Sequence, residues 1–270
     1  MGTSLKDRRV LITGTSAGIG KASVRAFLRE GAAVYGVARS RQGLDTLETE
    51  LGVAGKLTTI VADVTDAGSM QALVEQVLAD GGVPDIVVAN AGIGLDARFS
   101  RTSDEALRSV FEVNVFGVVR TVRPFIHGMT DRGSGRVLLI SSIVGKRGTP
   151  HYAAYSGSKF ALHGMADALR VELWGTGVTV GLVCPSSTMT EFQQRLIREG
   201  PAQKLKRLRR HSAESVADAV VAMARSRKRE KILSSEANLL HLANTVAPGL
   251  VDRVLARMLK NKREGEDPST

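Results

Sequence analysis

Residues 10–20 read Val10-Leu11-Ile12-Thr13-Gly14-Thr15-Ser16-Ala17-Gly18-Ile19-Gly20. A short β-rich run feeds a glycine-rich turn, and a helical pattern follows to about Glu30, where Gly31 stops it. Strand, glycine turn and helix make a phosphate-binding arrangement. Glycines let the backbone approach the anion closely, and the helix start presents free N–H groups to it. The spacing of Gly14, Gly18 and Gly20 departs from the usual Gly-x-Gly-x-x-Gly, and such a loop alone is also an ordinary tight turn.

The pattern repeats on both sides of this loop. A second strand, Ala33 to Ala38, ends in Ala38-Arg39-Ser40-Arg41. In dinucleotide folds an acid at this strand end selects the 2′-hydroxyl of NAD, and an arginine accommodates the 2′-phosphate of NADP. The acid is absent here, and Arg39 offers a planar fork suited to phosphate, with Ser40 or Arg41 able to assist. A helix near Leu44–Leu51, a strand near Leu57–Val61 ending at Asp63-Val64, and a helix over roughly Ser69–Ala79 come next. Asp85 to Ala89 is apolar after its first residue and bounded by turn residues, as in a strand buried on both faces. It leads into Asn90-Ala91-Gly92. A helical segment from about Asp104 to His127 contains Asn114, which matters only if the helix is distorted there and a carbonyl is freed. Arg136–Ile140 and Val178–Cys184 are further strands, the latter closed by Pro185. Alternating strands and helices predict an α/β fold: one doubly wound parallel sheet of the Rossmann type with right-handed crossovers.

A second informative stretch is Ser142 to Lys159. Tyr155 and Lys159 are four residues apart, so on a helix over Tyr152–Trp174 they point to one side. A phenol has a pKa of about 10, and a fixed ammonium nearby is expected to lower it. Such a pair is a general acid/base for neutral pH. Ser142, thirteen residues ahead of the phenol and at the end of an apolar run, could hold a carbonyl oxygen against it. A lone Tyr-x-x-x-Lys is more often a solvated helix face, so the weight rests on the company it keeps.

Composition narrows the class. The 270 residues suffice for one large core, and 43% hydrophobic residues are too many for a disordered chain. No apolar run approaches the roughly 18 residues that span a bilayer, and Met1–Arg9 leads into too short an apolar run for a signal peptide. A cytoplasmic location is the default expectation. One cysteine, Cys184, excludes an internal disulfide and a cysteine-cluster metal site, and no metal is expected. The net charge is +10, and residues 204–270 hold 15 Lys/Arg against 8 Asp/Glu, so most of the excess lies in the last quarter.

In this order and at these spacings, Thr13-Gly14-x-x-x-Gly18-Ile19-Gly20, Asp63-Val64, Asn90-Ala91-Gly92, Asn114, Ser142, Tyr155-x-x-x-Lys159 and Pro185 followed by Thr190 resemble the short-chain dehydrogenase/reductase family over about residues 8–235. The helix sequence around Tyr155 is similar to the hydroxysteroid-dehydrogenase-like branch. The resemblance implies an oxidoreductase that uses NADP(H) to interconvert a carbonyl and an alcohol. Asn114, Ser142, Tyr155 and Lys159 would be its catalytic residues. It implies a dinucleotide held by Gly14, Thr15, Ser16, Gly18, Ile19, Gly20, Arg39, Ser40, Asp63, Val64, Asn90, Ala91, Gly92, Tyr155, Lys159, Pro185, Thr188 and Thr190. Tyr155 would exchange a proton with the substrate oxygen, Lys159 would bind the nicotinamide ribose and depress the Tyr155 pKa, and Asn114 would keep a water. Two positions depart from the family: Ala89 stands where asparagine is frequent, and Ser186 where glycine follows the proline. A positive φ there would suit serine poorly.

Substrate loops in such a fold lie after the sixth strand, here about Ser186–His211, where Met189, Phe192, Leu196 and Ile197 at near-helical spacing read as an apolar lid or as core. A lipophilic carbonyl or alcohol is expected; a 3-oxoacyl thioester of a carrier protein and an NADP-binding sensor without turnover are the alternatives. Lys204–Arg210 holds five basic residues in seven. A solvated face, anionic lipid or an acidic carrier protein would explain them, and no nucleic-acid-reading motif accompanies them. The Rossmann domain is expected over 1–235, a helical extension over 236–260 and a polar tail over 261–270. Pro248–Leu259 reads as an amphipathic helix with a basic face, for packing or for peripheral membrane contact. The resemblance implies a homodimer or homotetramer formed through the helices of Asn114 and Tyr155.

Overall fold

The computed structural model describes residues 3–51, 56–186, 188–189, 192, 196–200 and 211–263. In chain order the elements are β1 (Arg9–Thr13), α1 (Gly18–Arg29), β2 (Ala33–Ala38), α2 (Arg41–Leu51), β3 (Leu57–Val61), α3 (Ala67–Gly81), β4 (Ile86–Ala89) and β5 (Leu95–Ala97). There follow α4 (Asp104–Phe111), a π-helical stretch (Glu112–Phe116), α5 (Gly117–Asp131), β6 (Gly135–Ile140), α6 (Ala153–Glu172) and β7 (Val178–Cys184). The chain closes with β8 (Thr188–Met189), β9 (Ile197–Glu199), β10 (His211–Ser212), α7 (Ala213–Ala224), β11 (Glu230–Ile232), α8 (Ser235–Val246) and α9 (Pro248–Arg263).

Seven strands form one parallel sheet in the order β11-β7-β6-β4-β1-β2-β3. Side chains alternate across a strand, and the apolar strands therefore feed two cores. Val10, Ile12, Ile86 and Val88 face Phe27 of α1, Leu44 of α2 and Val216 and Val220 of α7. Leu11, Val87, Val137 and Leu139 face Leu73 of α3, Phe125 and Met129 of α5, and Leu162 and Ala166 of α6. Both layers are needed because a parallel sheet has no face that tolerates water. The order reverses between β1 and β4, where chains leave the carboxyl edge in opposite directions and open a crevice.

The structure differs from the sequence expectations at several places. The helix expected over Asp104–His127 is broken by the π-helical turn at Glu112–Phe116. The lid residues do not form a helix: Ile197 begins β9, which pairs in parallel with β5, Leu95 opposite Ile197. Ser186 does not take a positive φ; among the described residues other than glycine only Asp7 and His151 do, so the serine fits without strain. Helix α7 begins just past His211, where the expected substrate loop ends, and is capped by Ser212, whose hydroxyl accepts from the Ser215 N–H. The final helix runs to Arg263, past the expected end of the extension. Lys204–Arg210 lies outside the described residues.

Candidate active site

The crevice is floored by the glycine loop. Gly14 (φ 74°) and Gly18 (φ 56°) take the left-handed conformation that glycine tolerates without cost. A Cβ at Gly20 would sit 2.0 Å from the Gly14 carbonyl oxygen, and one at Gly14 would sit 2.9 Å from Ala91 Cα. Only hydrogen fits at either place. The turn is pinned to the sheet: Gly14 N–H and Thr15 N–H both donate to the Val37 carbonyl, at 2.8 and 3.1 Å. The Thr15 hydroxyl donates to the same oxygen at 3.2 Å. Asn90 Nδ2 donates to the carbonyls of Thr13 (2.8 Å) and Gly14 (3.2 Å). Asn90 N–H and Ala91 N–H both donate to Thr13 Oγ1 at 3.2 Å. Thr13, buried at the end of β1, thus joins the glycine loop to the Asn90-Ala91-Gly92 turn. No side chain caps α1, whereas Asp66, Ser103 and Ser212 cap α3, α4 and α7. The α1 N–H groups therefore face the crevice without an internal acceptor from a cap, as a pyrophosphate requires. Ile19 packs against the core beneath.

The residues expected at the adenosine end lie beyond β2 and β3. Ser40 caps α2 through Gly43 N–H (3.2 Å), and Gly43 leaves room for Ser16, whose Cβ would lie 2.7 Å from a Cβ there. Arg41 is engaged by Asp45 (2.8 Å) and Glu48 (3.2 Å). Arg39 is 68% exposed and approaches Asp63 only at 3.9 Å, so its guanidinium is the available cation. Asp63 accepts from the N–H and hydroxyl of Thr65 at 2.9 and 2.8 Å, and Val64 is buried beside Gly117.

Four polar side chains converge at the other end. Asn114, fully buried in the π-helical turn, accepts from Ile93 N–H (2.9 Å) and donates to the Ile93 carbonyl (2.9 Å) and to Ser158 Oγ (3.0 Å). Ser158 donates to the Tyr155 carbonyl at 2.7 Å, which carries the link into α6. Gly92 lets the groups close up: its missing Cβ would lie 3.1 Å from Asn114 Oδ1 and 3.5 Å from Lys159 Nζ. Lys159 is buried and donates to the Ile140 carbonyl at 2.9 Å, with Nζ 5.8 Å from the Tyr155 ring centre. The Ser142 hydroxyl donates to the Pro185 carbonyl at 3.4 Å and lies near enough to the Tyr155 phenol to favour its ionised form. Pro185 is buried, and its carbonyl accepts from Ile143 N–H at 3.0 Å.

The electrostatics correct the sequence reading. Burial pushes the Tyr155 phenol up to about 12, the Ser142 hydroxyl opposing it and Tyr152 adding to it. Burial pulls the Lys159 ammonium down to about 8. Desolvation disfavours both charged forms, and it outweighs the ammonium–phenol attraction expected from sequence. At pH 7 the pair is a neutral phenol beside a charged amine whose proton is less tightly bound than in water.

On the substrate side, Phe192 packs 5.8 Å from the Tyr155 ring, tilted at 48°. Gly94 makes room for it and for Leu196: a Cβ there would lie 2.9 Å from Phe192 Cζ and 2.2 Å from Leu196 Cδ2. These two form the apolar wall that the sequence suggested. The β5 segment is fixed by Ala97 N–H donating to His151 O (2.9 Å), just ahead of α6. Thr188 donates to the Ser186 carbonyl at 3.3 Å, and Thr190 lies outside the described residues. Sequence reading quoted Thr13 in the loop motif without giving it a role, and it did not single out Ser158. A small polar residue next to the lysine and one ahead of the first glycine were the only signals. Further out, a cleft of about 530 Å³ lies between the Arg147–Pro150 loop with α6 and Leu255 and Ala256 of α9.

A family model described as short chain dehydrogenase matches residues 8–200. The ketoacyl reductase HetN of a Nostoc strain is 34% identical over 262 residues, which is 93% of this chain and 89% of that protein. A short-chain dehydrogenase from Streptomyces avermitilis superposes with a TM-score of 0.78 at 27% identity, over 98% of this chain and 100% of that one. An alcohol dehydrogenase from Thermococcus sibiricus, solved with 5-hydroxy-NADP, superposes with a TM-score of 0.73 at 30% identity, over 84% and 96% of the two chains.

Proposed function

Because the chain belongs to the short-chain dehydrogenase/reductase family of oxidoreductases, we propose that it is an NADPH-dependent reductase of a lipophilic ketone or aldehyde. The observation that carries this reading is the convergence of Ser142, Tyr155, Lys159 and Asn114 beside a cradle that only glycine backbone fits. The glycine loop and the uncapped start of α1 would hold the pyrophosphate, Asp63 and Val64 the adenine, and Arg39 the 2′-phosphate. When bound, the nicotinamide dinucleotide supplies the hydride. Ser142 orients the carbonyl oxygen toward Tyr155. Tyr155, neutral at pH 7, donates its phenolic proton to that oxygen as negative charge develops on it. Lys159, charged below about pH 8, stabilises the phenolate left behind. Asn114, through Ser158, fixes the turn of α6 on which Tyr155 sits. Phe192 and Leu196 exclude water and favour an apolar substrate.

A second reading, reduction of 3-oxoacyl thioesters, draws on the name of the Nostoc relative. One assay separates them: oxidation of NADPH, with NADH in parallel, over ketones, aldehydes and 3-oxoacyl thioesters. Turnover of simple apolar carbonyls favours the first reading. Turnover confined to thioesters favours the second, and binding of NADPH without turnover of any class overturns both.

We propose two surfaces for partners. Phe160 and Val171, eleven residues apart and so on one side of α6, are 45% and 76% exposed, and Trp174 beyond them is 87% exposed. A second copy of this chain is the occupant we propose for these apolar side chains, which lie on either side of Asp167. On α8 and α9, Leu239, Leu242, Val246, Leu250 and Val254 are exposed, and α9 carries five Lys/Arg against one Asp. Apolar side chains within a basic segment suit an anionic lipid surface.

A further inference from the structure

Behind the site lies a cluster that the proposed reaction does not use. His163 of α6, Cys184 at the end of β7 and Glu230 at the start of β11 bring one ligand atom each to within 4.8 Å of the others. Cys184 Sγ is 3.2 Å from Glu230 Oε1 and 3.8 Å from His163 Nε2, and His163 Nδ1 is 3.7 Å from Glu230 Oε1. A fourth oxygen is at hand, Ser141 Oγ, 3.1 Å from His163 Nε2. Zinc binds sulfur at about 2.3 Å and nitrogen or oxygen at about 2.0–2.2 Å. Tetrahedral ligands at those lengths are separated by about 3.3–3.7 Å; one imidazole nitrogen serves, and the three ligand atoms already close to within 4.8 Å, so binding needs them to draw in by only about 1 Å.

We infer that His163, Cys184 and Glu230 form a binding site for a zinc-class divalent cation, with Ser141 or a water as fourth ligand. The donor set is the argument for the metal class: thiolate and imidazole select zinc over magnesium or calcium, which take oxygen ligands. Charge agrees, because one thiolate and one carboxylate neutralise a divalent ion. The outer contacts are in place as well. Lys146 Nζ holds the other carboxylate oxygen, Oε2, at 2.7 Å, and so orients Glu230 with Oε1 toward the cluster. Gly145 puts no side chain over the imidazole; a Cβ there would sit 3.1 Å from Nε2. Burial and Glu230 hold the Cys184 thiol well above its usual range, so metal binding must displace its proton to solvent. Bound, the ion would tie α6, β7 and β11 together directly behind Ser142 and Lys159.

Cys184 is the single cysteine of the chain, so any thiolate–metal signal reports this site alone. The test is titration of the untagged full-length protein with cobalt(II), read by absorption and followed by zinc displacement. The expected result is one equivalent of cobalt giving a thiolate charge-transfer band and tetrahedral d–d bands, both removed by zinc. Cys184→Ser should lose the charge-transfer band. Glu230→Gln and His163→Gln, which keep the thiol, should weaken cobalt binding at least about tenfold. At a hundredfold excess over Kd, zinc should raise the wild-type Tm by about 5 °C, and that of Cys184→Ser much less. Absence of a charge-transfer band at millimolar cobalt overturns the site. So does a band whose affinity is unchanged in both Glu230→Gln and His163→Gln, because the thiol would then be binding without its partners.

Discussion

Tyr155 and Lys159 respond to the same burial in opposite directions, and that sets a pH window. Tyr155 keeps its proton to about 12, so the acid for carbonyl reduction is present throughout the ordinary range. Lys159 loses its charge above about 8, and with it the stabilisation of the phenolate. The kcat for reduction at saturating NADPH should therefore fall on the alkaline side with a midpoint near 8; a profile flat to pH 10 would remove Lys159 from this role. Tyr155→Phe should lower kcat by about 10²–10⁴ while dinucleotide binding stays within a few-fold. Undiminished turnover in that variant would overturn the assignment of the acid. Arg39, exposed and only weakly paired, should act on cofactor choice alone. Arg39→Ala should reduce kcat/KM for NADPH by about 10–100-fold, the worth of a charge-assisted phosphate contact, and leave NADH unchanged. Equal losses with both cofactors would place Arg39 elsewhere than on the phosphate.

Among the elements, the glycine turn and the π-helical turn carry the most consequence. Gly20→Ala would drive a Cβ to 2.0 Å from the Gly14 carbonyl. Thermal unfolding should show a loss of about 1–3 kcal/mol, and NADPH binding should be lost with it. Asn114→Ala would leave Ile93 N–H and C=O without the partners that now hold them at 2.9 Å, at about 1–3 kcal/mol for each buried group. The strands were legible because Val10-Leu11-Ile12 and Val137-Leu138-Leu139 are apolar on both faces, the mark of a sheet covered twice. The site residues were legible because glycine, Tyr-x-x-x-Lys and Asn90-Ala91-Gly92 are each demanded by local chemistry. What stayed hidden depends on distance along the chain. β9 is a strand only because Leu95, about a hundred residues earlier, offers it an edge. The depressed ammonium of Lys159 reflects enclosure by β6 and α6, which no four-residue spacing reports. His163, Cys184 and Glu230 meet only because β11 and β7 lie side by side and α6 covers the end of β7.

Taken whole, the molecule pairs a rigid doubly covered sheet with an outlying pair of C-terminal helices. If the α6 strip pairs two copies, Val171→Asp should shift the mass measured by light scattering from dimer to monomer; an unchanged mass would exclude the strip. If α8 and α9 rest on lipid, the protein should sediment with phosphatidylserine-rich vesicles and not with phosphatidylcholine ones, and Leu239→Ser with Leu242→Ser should release it. Co-sedimentation with neither, at low salt, would reject that surface. No helix among the described residues is long and apolar enough to cross a membrane. Helix α9 meets the loop ahead of α6 at the pair Arg147 Nη2 to Asp252 Oδ1, 2.5 Å, five residues ahead of Tyr152 and next to the buried Val251. Asp252 is 66% exposed, and an exposed ion pair is worth only about 0–1 kcal/mol. So weak a pair adds little to the packing of Val251, and it is the part of the contact that salt can loosen. A change of about 1 kcal/mol, from ionic strength or a surface that attracts α9, is enough to alter its closed fraction about fivefold. The contact between the chain's last helix and the loop ahead of α6 should therefore loosen as ionic strength rises, with no change in the sheet.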